Sequence, residues 1–167
     1  MEVILIRHAE AGERDATQYP NDDLRPITTD GRRKQTAIAR AMEKMGIEFG
    51  FLVTSPLVRA MQTAEVLADV FGFDETAQTS DALGHGCTPA SLLKLLAKFP
   101  PDAAVALVGH EPALSKVAAA LISPSGDADI RLRKSGVIGI AFDGAAEAGT
   151  GTLEYHLKPG QLRKLKA

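Results

Sequence analysis

The chain has 167 residues, of which 45% are apolar and 24% charged, and its formal net charge is −2. This length favours a single domain over residues 1–167, and the composition excludes an intrinsically disordered chain. The near-neutral charge, with basic clusters only at residues 32–34 and in the C-terminal tail, argues against a nucleic-acid interface.

The first part of the chain predicts a strand, a loop and a helix. Residues 3–6 form a continuous apolar run, typical of a strand covered on both faces. Residues 9–26 are polar and interrupted by proline, which predicts a loop. A helix is expected from about Thr28, which can cap it, to Gly46, which suits the left-handed residue after a helix. Its predicted apolar stripe consists of Ile38, Met42 and Met45.

The next segment predicts a short strand and a second helix. Residues 51–53 are apolar, and residues 55–72 carry apolar side chains at helical spacing. Ser55 is a suitable N-cap, Pro56 suits the first helical position, and Gly72 ends the helix. The predicted apolar face consists of Leu57, Ala60, Met61, Ala64, Ala68 and Phe71.

The middle of the chain repeats this alternation. Residues 74–89 predict a weak strand with a loop, and residues 90–99 predict a third helix. Residues 103–108 form another buried-strand pattern, after which Pro112 begins a fourth helix. The apolar stripe of that helix consists of Leu114, Val117, Ala118, Leu121 and Ile122.

The last part of the chain has the pattern of a β-hairpin. Residues 130–143 and 151–158 predict two strands around a turn rich in glycine and alanine. Together with the preceding β-α-β-α alternation, this pattern predicts an α/β fold with three layers, in which a mostly parallel central sheet has helices on both faces.

Side chains suited to catalysis follow three of the predicted buried strands. They are Arg7 and His8 after the first strand, Ser55 and Arg59 after the second, and His110 after the third. Ligands of open α/β sheets bind beyond the carboxyl ends of the strands. We therefore expect these side chains to converge at one sheet edge, together with two helix N-termini.

This set of groups favours a phosphate ligand. Arginine binds phosphate oxygens in pairs, helix N-termini attract anions, and a neutral histidine can act as a nucleophile. The sequence has no G-x-S-x-G elbow, no P-loop and no closely spaced histidines for a metal, and Cys87 has no obvious base. Each residue alone is more often a surface charge or a helix cap than a functional residue, so the functional interpretation depends on their joint placement.

Four stretches in this order closely resemble the histidine phosphatase (phosphoglycerate mutase-like) superfamily: LIRHAEAG, RPITTDGRRKQ, TSPLVRAMQTAE and VGHEP. The resemblance covers residues 3–118, and the tail after Ser123 contributes no motif. The short chain and the first two motifs resemble the SixA-like phosphohistidine phosphatase branch. The resemblance implies a phosphoglycerate mutase-like fold and phosphatase activity that needs no metal or other cofactor.

Residue roles also follow from the resemblance. It implies that His8 is the nucleophile that becomes phosphohistidine, and that Arg7, Arg59 and His110 hold the phosphoryl oxygens. The candidates for the rest of the substrate site are Arg25, Ser55, Glu111 and His85. Arg25 could equally be a structural residue that pairs with Asp22 or Asp23.

Two positions depart from the family pattern. Many members have glycine after the Arg-His pair where this chain has Ala9, so the loop after His8 must use ordinary backbone dihedrals. The general acid is left open, because mutase-type members carry glutamate at the position of His85 and acid phosphatases carry aspartate at the position of Glu111. Both residues stay candidates for the acid, and each could equally be structural.

A site with a weak or absent acid favours one class of substrate. An alkoxide leaving group needs a proton donor, whereas the imidazole of phosphohistidine leaves more easily. The short chain also predicts an open, shallow pocket that suits a phosphorylated protein. We therefore expect a phosphatase acting on phosphohistidine in a protein. The alternatives are a broad-specificity phosphomonoesterase for small molecules and a phosphate-binding module without catalysis.

The sequence also predicts where the protein works. Its first apolar run is too short for a signal peptide, and no run approaches the roughly 18 residues of a membrane span. A lone cysteine excludes an internal disulfide and fits a reducing compartment. We expect a cytoplasmic protein that binds neither nucleic acid nor membrane, and the sequence does not specify its oligomeric state.

Overall fold

The computed structural model describes residues 1–75 and 77–165, so Thr76 of the predicted segment 74–89 and residues 166–167 of the basic tail lie outside it. The described strands are β1 (Glu2–Arg7), β2 (Phe51–Thr54), β3 (Gln78–Thr79), β4 (Ala104–Gly109), β5 (Val137–Ala141) and β6 (Thr152–Leu157). The described helices are α1 (Thr29–Lys44), α2 (Val58–Phe71), α3 (Pro89–Leu96), α4 (Ala113–Ile122) and α5 (Pro159–Leu162). Two 3₁₀ turns, Asp22–Leu24 and Asp81–Leu83, precede α1 and α3.

These strands form one sheet in the order β3-β2-β4-β1-β5-β6. The first four strands in this order pair in parallel. Strand β5 pairs antiparallel with β1, and β6 pairs antiparallel with β5, as the predicted hairpin requires. The predicted α/β sheet is therefore confirmed, with a mixed rather than uniform strand direction. The carboxyl ends of β1, β2 and β4 lie at one edge, because Arg7 pairs with Gly109 and Thr54 pairs with Val108.

Apolar side chains of the sheet alternate between two helical layers. Ile4 and Ile6 of β1 pack in a cluster with α1, α2 and α5, whereas Val3 and Leu5 pack in a cluster with α3 and α4. All four side chains are fully buried. Burial of such a side chain contributes about 1.5–3 kcal/mol, so both helical layers stabilise the sheet. The predicted arrangement of three layers is confirmed.

The ends of α1 agree with the prediction from the sequence. Thr28 Oγ1 accepts a hydrogen bond from the amide of Gly31 at 2.9 Å, and Gly46 has a φ of 75°. Met45, however, is 46% exposed and does not belong to the buried stripe. Met45 is the C-cap residue after Lys44, at the end of α1 where residues 43–46 are all exposed.

Two elements begin at least two residues later than predicted. Helix α2 begins at Val58 rather than at Pro56, because Leu57 still has an extended backbone. Ser55 Oγ accepts a hydrogen bond from the amide of Leu57 at 3.2 Å and thereby stabilises the turn before the helix. Strand β5 begins at Val137 rather than at residue 130, because the preceding residues form a loop in which Ser135 has a φ of 59°.

The predicted apolar face of α2 also contains one exposed residue. Met61 is 37% exposed, whereas Ala60 and Ala64 on the same helix are fully buried. Met61 lies at the margin of this face, whereas the fully buried Leu67, which the predicted face did not include, packs in the core together with Ala60 and Ala64.

A close backbone approach at Gly31 gives a first testable prediction. A Cβ at Gly31 would collide with the carbonyl oxygen of Glu10, which also accepts a hydrogen bond from the amide of Thr28. We expect Gly31→Ala to lower the free energy of unfolding by about 1–3 kcal/mol, because the backbone must shift to relieve this contact. Urea denaturation measures the change. The control is Gly50→Ala, since a Cβ at Gly50 meets nothing within 4 Å, and equal stability of the two variants would contradict the prediction.

Candidate active site

The position of His8 is determined by hydrogen bonds at the end of β1. Its amide donates to the carbonyl oxygen of Gly109 at 3.0 Å, which continues the pairing of β1 with β4. The amide of Ala9 donates to Thr63 Oγ1 at 2.9 Å, and Thr63 Oγ1 donates to the carbonyl oxygen of Arg59 at 2.7 Å. The end of β1 is therefore attached to α2. As the sequence predicts, Ala9 has no positive φ.

The hydrogen bonding of His8 defines its tautomer. Its Nδ1 lies 2.7 Å from the carbonyl oxygen of Ala9. A carbonyl oxygen can only accept, so Nδ1 carries the proton and Nε2 keeps its lone pair. Burial is the main reason that the pKa of His8 is lowered to about 3; the hydrogen bond to Ala9 opposes this shift, and nearby His110, Arg59 and Arg7 add to it. The ring is therefore neutral at neutral pH, which is the form that can attack phosphorus.

His110 lies next to His8, with a distance of 5.1 Å between the ring centroids. Its Nε2 is 2.8 Å from Ser55 Oγ, whereas its buried Nδ1 has no hydrogen-bond partner within the described residues. Burial, followed by the charge of Arg59, lowers the pKa of His110 to about 4. The ring is therefore neutral at pH 7 in this structure, and a bound anion would favour its protonation.

Two arginines keep hydrogen-bonding capacity for a ligand: Arg59, which is buried, and Arg7, which is half-buried. Arg59 Nη1 donates to the carbonyl oxygen of Asp22 at 2.9 Å and lies 3.4 Å from Asp22 Oδ2. Arg7 Nη1 donates to the carbonyl oxygen of Leu132 at 2.9 Å. The Nε atoms of both arginines are buried without a partner in the part of the chain that the structure describes. Burial also lowers the pKa of both guanidinium groups, so an anion beside them would be stabilising.

Arg7, His8, Arg59 and His110 line one cavity of about 300 Å³, here called the histidine cavity. Its other lining residues are Gly12, Glu13, Arg14, Arg25, Glu111 and Lys134. The lining therefore contains five cationic side chains and two carboxylates. An excess of positive charge in a concave site attracts anions. The four residues that the sequence placed at strand ends are brought together around a space suited to a phosphoryl group.

Two further predicted site residues also line the histidine cavity. Glu111 does so with its Oε1 buried and without a hydrogen-bond partner among the described residues. Arg25 lines the cavity while its Nε and Nη2 bind the two carboxylate oxygens of Asp22 at 2.8 and 3.3 Å. Of the two pairing partners considered from the sequence, the structure has Asp22. The same carboxylate thus holds both Arg25 and Arg59.

The remaining two predicted site residues lie outside the cavity lining. Ser55 is fully buried and reaches the site through its contact with His110. The side chain of His85 is 74% exposed, and its Nε2 lies 2.7 Å from Asp23 Oδ1. Of the two candidates for the general acid, only Glu111 therefore reaches the cavity wall.

The sequence did not single out several residues that shape this site. Thr63 links the end of β1 to α2, and its position one helical turn after Arg59 could have indicated that both share a face. Arg14 and Lys134 line the cavity from loops. Loops carry no periodic pattern, so no sequence signal indicates these two side chains.

Residues 1–75 and 77–165 contain no group of three or more histidine, cysteine, aspartate or glutamate side chains arranged to hold a metal ion. None of their helices is both long enough and apolar enough to cross a membrane.

Comparison with known proteins identifies the family. A model of the histidine phosphatase superfamily (branch 1) matches residues 3–85. An uncharacterized protein of Picosynechococcus sp. is 34% identical over 142 residues, which is 84% of each chain. The chain belongs to the histidine phosphatase superfamily. The phosphohistidine phosphatase SixA of Escherichia coli is 25% identical over 173 residues, an alignment that covers all of this chain and 99% of that protein.

Solved structures of the superfamily agree with this assignment. The protein histidine phosphatase SixA complexed with tungstate is 26% identical and has a TM-score of 0.78, with coverage of 97% of this chain and 99% of that one. A putative SixA from Agrobacterium tumefaciens, at 21% identity and a TM-score of 0.77, shares the fold. The phosphoglycerate mutase-like fold and the resemblance to SixA that the motifs implied are both confirmed.

The low pKa values of this histidine phosphatase give a second prediction. Because folding lowers the pKa of both rings below the usual 6.5, each ring stays neutral as the pH falls from 7 to 5 and takes up its proton only near pH 3 for His8 and pH 4 for His110. Long-range ¹H–¹⁵N spectra of the histidine rings measure both midpoints and show whether Nδ1 of His8 is protonated. His8→Ala and His110→Ala assign the signals. A midpoint near 6.5 for His8 would show that the ring is not desolvated.

Proposed function

We propose that this chain is a phosphatase that removes the phosphoryl group from phosphohistidine in a protein, through a covalent phosphohistidine on His8. The observation that carries the proposal is the hydrogen bond from His8 Nδ1 to the carbonyl oxygen of Ala9, which leaves the Nε2 lone pair in a cavity lined by cations. A neutral, oriented imidazole is the form that a nucleophilic histidine needs.

The first chemical step transfers the phosphoryl group to the protein. The lone pair of His8 Nε2 attacks phosphorus while the bond between phosphorus and the substrate's imidazole nitrogen breaks. The leaving imidazole keeps the electron pair of that bond and takes up a proton. The hydrogen bond to Ala9 stabilises the positive charge that develops on the ring of His8, because the carbonyl oxygen faces the protonated Nδ1.

The second step restores the free protein. Water attacks phosphorus, the bond to His8 Nε2 breaks, and its electron pair returns to the ring. The attacking water loses a proton, and inorganic phosphate leaves. Both steps spread negative charge over the equatorial phosphoryl oxygens, so catalysis depends mainly on positioning and on charge stabilisation.

Arg7, Arg59 and His110 are proposed to stabilise that charge. All three side chains line the histidine cavity, and the Nε atoms of both arginines and Nδ1 of His110 lack hydrogen-bond partners among the described residues. A phosphoryl group bound in the cavity would accept hydrogen bonds from these side chains. A charge-assisted donor of this kind is worth roughly 3–4 kcal/mol in a transition state. Contact with Asp22 keeps Arg59 in place beside the cavity.

The arrangement of possible proton donors favours phosphohistidine over a phosphate ester. Of the two acids suggested by the sequence, His85 is exposed and paired with Asp23, whereas Glu111 lines the cavity, as Glu13 also does. An alkoxide leaving group would depend on one of these carboxyl groups, whereas an imidazole leaving group can take its proton from solvent. Similarity over the whole chain to the phosphohistidine phosphatase SixA supports the same substrate class. The tungstate held by a SixA structure is a tetrahedral oxyanion like phosphate, which supports the proposed phosphoryl site.

A second candidate function rests on Glu111. If this carboxyl group protonates the leaving oxygen, the same site would act as a broad phosphomonoesterase for small molecules. Its buried Oε1, which has no partner within residues 1–75 and 77–165, is the observation in favour of this alternative. A phosphate-binding module without catalysis has less support, since a module that only binds has no need of an oriented nucleophile.

A cytoplasmic location, where phosphorylated signalling proteins occur, is part of the proposal.

Loss of the nucleophile gives a third prediction. We expect His8→Ala to lower the rate on a phosphohistidine protein by about 10³-fold or more, because no other group can take up the phosphoryl group. A ³²P-labelled substrate should label the wild-type protein with an acid-labile, alkali-stable phosphoramidate, and His8→Ala should remain unlabelled. The control is His156→Ala, which removes a histidine of β6 that does not line the histidine cavity. Equal labelling of His8→Ala would show that His8 is not the nucleophile.

The identity of the leaving group gives a fourth prediction. We expect kcat/KM for a phosphohistidine protein to exceed the values for a sugar phosphate and an aryl phosphate by at least about tenfold, with the same ranking in a chelator. Glu111→Gln should leave the pH–rate profile on phosphohistidine unchanged, because an imidazole does not need this acid. Faster turnover of the sugar phosphate, lost in Glu111→Gln, would favour the phosphomonoesterase instead.

A further inference from the structure

A second cavity of about 430 Å³ lies beside the histidine cavity and shares Arg7 and Lys134 with it. It lies between α1, the loop before β5 and α5. Its charged lining residues are Arg7, Glu10, Lys34, Arg133, Lys134 and Arg163, and we call it the basic cavity. The reaction described above uses only Arg7 of this set.

Most of the positive charge in the basic cavity has no counter-charge. Glu10 is its one acidic lining residue, and Lys34 Nζ already binds that carboxylate at 3.0 Å. Within residues 1–75 and 77–165, Arg133, Lys134 and Arg163 form no ion pair with a carboxylate. The whole chain has a net charge of −2, so this concentration of positive charge is local and does not follow from composition.

Two hydrogen bonds hold the loop that carries Arg133 and Lys134 beside the end of β1. The amide of Ser135, which follows Lys134, donates to the carbonyl oxygen of Arg7 at 3.0 Å. Arg7 Nη1 donates to the carbonyl oxygen of Leu132, which precedes Arg133, at 2.9 Å. The loop that carries Arg133 and Lys134 is thus attached on both sides to the end of β1. A ligand of the basic cavity would therefore lie directly beside a phosphoryl group bound at His8.

We propose that the basic cavity binds acidic side chains that flank the phosphorylated histidine of the protein substrate. This inference rests on the proposed function and names the kind of protein that the site prefers. Arg133, Lys134 and Arg163 are exposed, so carboxylates on the surface of a second protein can reach them. A phosphoryl group in the histidine cavity brings the neighbouring substrate residues over the adjoining cavity, because Arg7 and Lys134 line both.

The physical effect of this surface is on association and selectivity. Exposed cations next to a binding site attract an acidic partner over a distance and orient it, and this effect weakens with salt. Substrates with neutral residues around the phosphohistidine would lose this attraction but would still fit the histidine cavity. The basic cavity therefore distinguishes between protein substrates without taking part in the reaction.

A binding experiment tests this inference independently of catalysis. The probe is a fluorescent peptide rich in aspartate and glutamate that has no phosphoryl group, and its anisotropy is followed with the intact protein at low salt. We expect the double variant Arg133→Gln/Arg163→Gln to raise the dissociation constant about tenfold. The matched control Lys94→Gln/Lys98→Gln, which removes the same charge from the exposed side of α3 and the segment after it, should bind the peptide like the wild type.

The outcomes of this experiment are distinct. Equal weakening by both double variants would show that net charge alone drives binding, and unchanged binding in both would show that the cavity does not hold the peptide. Inorganic phosphate is the competing probe. If it displaces the peptide from the wild type but no longer does so from the Arg133→Gln/Arg163→Gln variant, the basic cavity is a site for small anions and the proposal is wrong.

A kinetic comparison adds the link to the reaction. Two phosphohistidine peptides are used, one with glutamate and the other with glutamine around the phosphorylated residue. In the wild type the glutamate peptide should have the higher kcat/KM at low salt. In the Arg133→Gln/Arg163→Gln variant the two peptides should have similar kcat/KM values. If the wild type hydrolyses neither peptide, the proposed function is wrong, whereas the anisotropy measurement alone decides whether the basic cavity binds acidic peptides.

Discussion

The parallel pairing of β1 with β4 is the constraint on which the site depends. Arg7 pairs with Gly109, and the amide of His8 donates to the carbonyl oxygen of Gly109. This register places the residues after the two strands side by side, so that the rings of His8 and His110 lie 5.1 Å apart. A shift by one residue would turn the side chains of β1 to the opposite face of the sheet and would separate the two imidazoles.

Burial controls the chemistry of the groups that this register brings together. Desolvation is the largest cause of the low pKa values of His8, about 3, and His110, about 4. The same burial disfavours the charges of Arg7 and Arg59. The fold therefore keeps a neutral imidazole beside cations that are poorly solvated, and a bound phosphoryl group would stabilise those cations. Asp22 supplies part of that stabilisation through its contacts with Arg59.

The sequence was most informative where the determining contacts are local. Thr28 and Gly46 mark the ends of α1 correctly, because a helix cap and a left-handed turn depend on the adjacent backbone. Ser55 shows the limit of such reasoning. Its hydroxyl group was predicted to cap α2, but it bonds the amide of Leu57 in the preceding turn and contacts His110, which is 55 positions away. No local pattern encodes a contact between such distant residues.

By itself, the sequence determined the α/β fold, the order of the motifs and the residue types suited to phosphoryl chemistry. These depend on short-range periodicity and on the rule that parallel strands end at a common edge. Only the tertiary structure decided which nitrogen of His8 carries the proton, that Glu111 rather than His85 reaches the cavity, and that Arg133 and Arg163 meet beside it. These features depend on distances between remote segments and on the exclusion of water, and both are set by how the helices pack on the sheet.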